Sequence, residues 1–188
     1  MARISKGLLQ GMQEFKESLD IIAFKVGLLI IDEQQRKDPL EAAASSALRA
    51  QQRVIMGAVS LEIPVFFIEL NPTGDPDKTK PSRSRLRGLL PPGTTRMMKK
   101  HLNAFNDTAL QSTLYANRIG ALVIMGHETN CCVKATAVGR VYDTNPENRS
   151  PDGATQRGFY VLSCQQVLRD TEASWADEAM VQFYDRVD

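Results

Sequence analysis

The sequence predicts an α/β protein, a three-layer α/β/α sandwich with a central parallel sheet of five to six strands. Three observations carry this expectation. Short runs of branched apolar residues recur along the chain, apolar on both faces as buried parallel strands are. A long amphipathic segment separates the first two runs. Strand-like and helix-like segments then keep alternating, the pattern of βαβ units with right-handed crossovers.

Taken in order, a weak amphipathic segment from Leu8 to Leu19 reads as a helix, within an N-terminal helical extension over 1–22. The clearest strand follows: Val26-Gly27-Leu28-Leu29-Ile30-Ile31, stopped by Asp32. Between Pro39 and Leu61, residues Leu40, Ala44, Ala47, Leu48, Ile55, Ala58 and Val59 recur at helical spacing, with Asp38 as cap and Pro39 in the first turn. Residues 64–68 (Pro-Val-Phe-Phe-Ile) form the second strand. The segment 71–93, rich in proline and carrying Lys78, Lys80, Arg83, Arg85 and Arg87, exceeds ordinary connection length and reads as a lid or insert. Thr108–Asn117 reads as a helix, Ala121–Met125 as a strand and Cys131–Tyr142 as a helix. The polar stretch 144–157 is a second long loop, Phe159–Leu162 a fourth strand, and Ala173–Phe183 a last helix.

The 188 residues suit one domain, 1–188, whose core can bury roughly 70% of the unfolded surface. With 23 Lys and Arg against 22 Asp and Glu, there is no basic excess to suggest a nucleic-acid partner. No apolar run is long enough to span a membrane, and the N-terminus lacks the apolar core of a secretory signal. Three cysteines, Cys131, Cys132 and Cys164, cannot all pair within one chain, which fits a reducing, cytoplasmic setting. Two histidines and no C-x-x-C spacing leave no ordinary zinc site.

In open parallel sheets ligands bind beyond the carboxyl ends of the strands, and two segments fall there. One is Asp32. From position alone it is a cap, a salt-bridged turn residue or a partly desolvated base. The other is 126–132, where a strand hands over to a helix and Thr129 or Asn130 can cap. The amide dipoles of such a turn favour a thiolate and an oxyanion. A cysteine there is either a small buried apolar residue or a nucleophile. His127, on the same turn as Cys132, is poorly placed to face it across a substrate. Lys99 and Lys100 alone read as solvated surface, His101 likewise. The basic cluster at 78–87 is a solvated face or a clamp for an anion.

Three segments together resemble the isochorismatase-like cysteine hydrolases. Leu28-Leu29-Ile30-Ile31-Asp32-Glu33-Gln34 is similar to that family's LLxIDxQ strand end. Lys99-Lys100-His101-Leu102-Asn103-Ala104-Phe105, with Thr108 and Leu110, is similar to its K-x5-F…T-x-L segment. Gly126-His127-Glu128-Thr129-Asn130-Cys131-Cys132-Val133 is similar to G-x-x-T-[DN]-x-C-V. The resemblance runs from about Val26 to Leu162. It implies a catalytic triad of Asp32, Lys99 and Cys132, with Lys99 six residues before Phe105 and Cys132 directly before Val133.

It further implies a cis peptide before Glu128 and an oxyanion hole made by the backbone N–H groups of Glu128 and Cys132. Lys99 would hold Asp32 ionised and lower the thiol pKa. The activity implied is hydrolysis of a C–N bond other than a peptide bond, in a small amide, ureido or carbamoyl substrate, by a cytoplasmic homo-oligomer, dimer or larger. Nicotinamidase members carry an Asp/His metal set before the lysine. Here no histidine precedes His101, so no metal or other cofactor is expected. Gln35-Arg36-Lys37 departs from the family's Asn-Asp-Phe and motivates an alternative, a non-catalytic binding member of the same fold. A third reading, a thiol redox protein using Cys131 and Cys132, has adjacent cysteines against it, since they close a strained ring.

Overall fold

The computed structural model describes residues 4–21, 23–34, 41–75, 84–106, 108–139, 152–169 and 171–188, with 41–45 described as helical backbone alone. The chain runs β1 (Ile4–Gly7), α1 (Leu8–Asp20), β2 (Lys25–Ile31), α2 (Glu41–Ser60), β3 (Val65–Leu70), α3 (Ser84–Arg87), β4 (Thr95–Lys99), α4 (Leu110–Ala116), β5 (Ile119–Gly126), a π-turn (Thr129–Val133), α5 (Lys134–Val138), β6 (Tyr160–Cys164) and β7 (Val181–Arg186). All strand pairs are parallel, in the order β1-β7-β6-β5-β2-β3-β4. Among the described residues the sheet thus has seven strands rather than five or six, flanked by helices as the sequence predicts.

The centre forms as the apolar runs require. Leu28 to Ile31 and Leu122 to Met125 are fully buried, because strands covered on both faces must be apolar on both. In α2 the buried Ala47, Leu48, Val54, Ile55 and Ala58 share one face on the sheet. The expected cap Asp38 and first-turn Pro39 lie outside the described residues, as do Gln35 to Lys37, Lys78, Lys80 and Arg83, the last three residues of the expected 131–142 helix and residues 144–151 of the second loop.

Two readings need correction. The extension over 1–22 is not helical throughout: Ile4–Gly7 is an edge strand beside β7, and α1 follows. Ala173–Phe183 is not a helix. Its alanine, methionine and phenylalanine spacing mimics helical period, but Met180 has φ 64°, which an L-residue helix cannot contain, and Val181–Arg186 continues as β7.

The order reverses between β2 and β5. From β2 the chain goes outward through β3 and β4, returns to β5, then goes outward on the other side through β6 and β7. The crevice beyond the ends of β2 and β5 is therefore the switch point, where parallel sheets hold their ligands.

Candidate active site

β2 and β5 end level, with Ile31 opposite Gly126. Gly126 has φ 153°, and a Cβ on it would lie 2.2 Å from the Ile31 carbonyl oxygen, so only glycine lets the two strand ends approach. The next amide, His127 N–H, donates to that same carbonyl at 3.0 Å. The chain then turns through Glu128 at φ 60° and ψ 64° into the π-turn bearing Cys132. The cis peptide implied before Glu128 is not there: the described residues contain none, and the left-handed Glu128 makes the reversal. Neither Thr129 nor Asn130 sits at the cap position. Glu128 does, with no side-chain cap bond, while its carbonyl accepts the N–H groups of Cys131 (3.0 Å) and Val133 (3.2 Å).

Asp32 also has positive φ, 54°. A left-handed non-glycine residue costs about 1–3 kcal/mol and persists only where its surroundings over-determine it. Here Gln34 does much of this. Its amide accepts from Leu70 N–H at 2.8 Å and donates to Leu70 carbonyl at 3.0 Å, extending the β2–β3 ladder with a side chain. Asp32 N–H itself donates to Ile68 carbonyl at 2.9 Å.

Lys99 closes β4, two strands away, paired with Leu70. Its side chain crosses the end of β3, fully buried, and places Nζ 2.8 Å from Asp32 Oδ2 and 2.7 Å from the Leu102 carbonyl. Lys100, its neighbour, points to solvent. The Lys99 ammonium and the Cys132 thiol both engage the Asp32 carboxylate by hydrogen bonding, so the ion pair is held by charge and by a hydrogen bond together. Burial opposes the Lys99 charge, but Asp32 and then Cys132 outweigh it and hold the ammonium above its ordinary pKa.

Cys132 is 1% exposed and near enough to both Asp32 and Lys99 for their charges to act on its thiol. Its pKa lies well above the usual cysteine range. The Cys131 side chain contributes most, then burial; Lys99 pulls down, and Asp32 pushes up again. The thiol-lowering expected from Lys99 is present but outweighed. At rest Cys132 therefore carries its proton, and a buried carboxylate, Asp32, stands beside it. His127 is buried but is not among the groups acting on the thiol. His101 is half-buried, and Arg87 of the basic cluster is exposed.

Sequence reasoning missed the residues that hold the π-turn in place. Trp175 is fully buried and donates Nε1–H to the Thr129 carbonyl at 3.0 Å. Asn130 donates to Thr171 Oγ1 and the Glu172 carbonyl and accepts from Ser174 N–H at 2.8 Å. Thr136 Oγ1 donates to the Cys132 carbonyl at 2.9 Å and accepts Ala104 N–H at 3.0 Å, tying the segment after Lys99 to the turn that bears Cys132. The one available signal was the chain's single tryptophan in an otherwise polar stretch.

The fold is that of an open parallel α/β protein whose switch point brings a left-handed aspartate, a buried lysine and a buried cysteine together at the ends of β2, β4 and β5. The isochorismatase domain signature matches residues 26–142, from the start of β2 to beyond α5. The chain belongs to the isochorismatase family. Among solved structures it is similar to N-carbamoylsarcosine amidase from Thermoplasma acidophilum, at 16% identity over 88% of this chain and 98% of that one, TM-score 0.66. It is similar to the nicotinamidase of Staphylococcus aureus, at 15% identity over 86% and 98%, TM-score 0.68. It is also similar to the nicotinamidase of Bacillus subtilis, at 18% identity over 86% and 100%, TM-score 0.66. These likenesses establish a shared fold. No curated protein matches by sequence. Among the described residues no helix is long and apolar enough to cross a membrane.

Proposed function

We propose that this chain is a cysteine hydrolase cleaving a C–N bond, other than a peptide bond, in a small amide, ureido or carbamoyl compound. The carrying observation is the buried Asp32–Lys99 pair beside the buried Cys132 thiol. Two similar structures being a carbamoyl amidase and a nicotinamidase supports the substrate class.

Cys132 Sγ attacks the substrate carbonyl carbon while its proton passes to Asp32. The N–H groups of Glu128 and Cys132 receive the developing oxyanion, a role supported by the sharp left-handed turn that carries them to the strand end. Asp32 then protonates the departing amine, leaving a thioester on Cys132. Water, giving a proton to Asp32, cleaves the thioester and restores the thiol. Lys99 keeps the site's charge balanced through the cycle. The Asp/His metal set of nicotinamidases has no counterpart, since the first histidine in the chain is His101, beyond β4, and no step uses a metal. The same reading takes 1–188 as one domain working in the cytoplasm as a dimer or larger. The three free thiols suit that compartment.

The test is a panel of small amides, ureides and carbamoyl compounds followed by ammonia release, with mass spectrometry for an acyl adduct. A turned-over compound should leave its acyl mass on Cys132, and Cys132→Ala should abolish both signals. Activity should persist in strong chelator. Adduct on Cys131, turnover by Cys132→Ala, or chelator loss restored by added metal would each overturn the reading. Tight binding of a compound without turnover would point instead to the non-catalytic member.

A further inference from the structure

The mechanism has no use for Cys131, yet its thiol is half-buried beside Cys132. Glu128, Cys131 and Cys132 are drawn together because the chain reverses at the left-handed Glu128 directly into the π-turn that bears both cysteines. The Glu128 carboxylate oxygen and the two sulfurs all lie within 4.8 Å of one another, with Cys132 Sγ 4.0 Å from Glu128 Oε2. A tetrahedral zinc with 2.3 Å bonds to sulfur sets its ligand sulfurs about 3.8 Å apart, so the cluster needs to close by about 1 Å or less. Two thiolates and a carboxylate are a soft, anionic set that selects a thiophilic d10 cation over magnesium or calcium. Cys131 and Glu128 are half-buried and Cys132 fully buried, which leaves the outer coordination position open to water and gives the ion a way in. Lys99, next to Cys132, offsets the single negative charge that a divalent ion would leave on the three ligands.

We propose that Glu128, Cys131 and Cys132 form a binding site for a thiophilic divalent cation of the zinc and cadmium type, which reversibly blocks the nucleophile. Binding forms two metal–sulfur bonds and one metal–oxygen bond and releases two thiol protons to solvent. The sulfur of Cys132, bonded to the ion, can no longer attack a carbonyl. This site is chemically unlike the histidine-containing one that the sequence lacks. The blocking effect rests on the hydrolase reading; the binding does not.

The experiment titrates the full chain, carrying Cys164→Ala, with cadmium chloride and reads the sulfur-to-cadmium charge-transfer absorption, whose intensity counts bound thiolates. One cadmium per chain with the intensity of two thiolates is expected. Cys131→Ser should halve the intensity and weaken binding by about tenfold or more; Glu128→Gln should keep the intensity and weaken binding less. Cadmium should shield Cys132 from iodoacetamide in the parent, and far less in Cys131→Ser or Cys131→Ala. One-thiolate intensity in the parent, equal affinity in Cys131→Ser, or no binding at micromolar cadmium would overturn the site. No substrate is involved, so cadmium binding by a chain that hydrolyses nothing would count against the hydrolase reading alone.

Discussion

Two buried carboxylates follow β2, one residue apart, and the chain treats them oppositely. Glu33 is fully buried against Arg169, 3.3 Å away, and accepts Gln51 Nε2–H at 2.8 Å; Gln51 also donates to the Val167 carbonyl at 2.9 Å. This network joins α2 to the chain after β6. Asp32 is as deeply buried and as close to a cation, but its backbone is left-handed and its second partner is the Cys132 thiol, a group with a proton to give. A carboxylate whose partners are a guanidinium and an amide has no acid beside it to exchange a proton with and serves as a strut. One set against a thiol can accept a proton. The contrast separates scaffold from chemistry better than burial or charge alone, since both pairs share those.

The sharpest way to break this comparison is activity. Asp32→Asn should lower kcat by about 10²–10⁴-fold, the usual worth of a general base, whereas Glu33→Gln should leave kcat within a few-fold. Ammonia release on the substrate found by the panel reads both, and equal losses would erase the distinction. Stability sharpens it from the other side. Glu33→Gln strands the Arg169 charge in the interior and should cost about 3–5 kcal/mol by urea unfolding. Converting both partners, Glu33→Gln with Arg169→Met, should recover much of that, because no lone buried charge remains.

A smaller effect tests whether Lys99 acts on the thiol. The ammonium draws the Cys132 pKa down, so its loss must raise it and reduce the thiolate at any pH below that pKa. In a chain lacking Cys131 and Cys164, Lys99→Ala should slow iodoacetamide near neutral pH, the gap narrowing as pH climbs past both pKa values. Lys100→Ala, altering a solvent-facing side chain, should match the parent throughout. The reverse ranking would detach Lys99 from the site. The smallest effect concerns support. Trp175→Phe removes the donor to Thr129 and should cost about 1 kcal/mol in urea, with KM changing less than kcat.

A contrast between covered and exposed strand faces governs what the sequence could disclose. β2, β3, β5 and β6 are evident from their residues because both faces are covered. β1 and β4 lie at the sheet edges with only the last residue of each buried, and β7 buries Val181, Phe183 and Tyr184 but ends in two exposed residues. Their short alternating patterns carry no both-face signal. The aspartate, lysine and cysteine came from motif resemblance. Spacing alone could not show that Lys99 reaches Asp32 across the end of a strand, nor separate it from Lys100. Arg169, Trp175 and Thr136 escaped notice because their partners are 32 to 136 residues away in sequence. The misread helix at 173–183 has the same origin. Its apolar spacing was real, but Trp175 and Phe183 pack edge to face at 5.9 Å and Trp175 bonds outward to Thr129, contacts that helical geometry would not satisfy.

The indole that props the π-turn is also the chain's single fluorophore of its kind. Buried from water and bonded three residues before Cys132, it turns any shift of that segment into a change of emission, with no second indole to dilute the signal. Stopped-flow fluorescence on the unlabelled protein can therefore follow the proposed acylation and deacylation, and the proposed arrival of cadmium at Cys132, in real time. The Trp175→Phe chain, silent at those wavelengths, supplies the matched dark control.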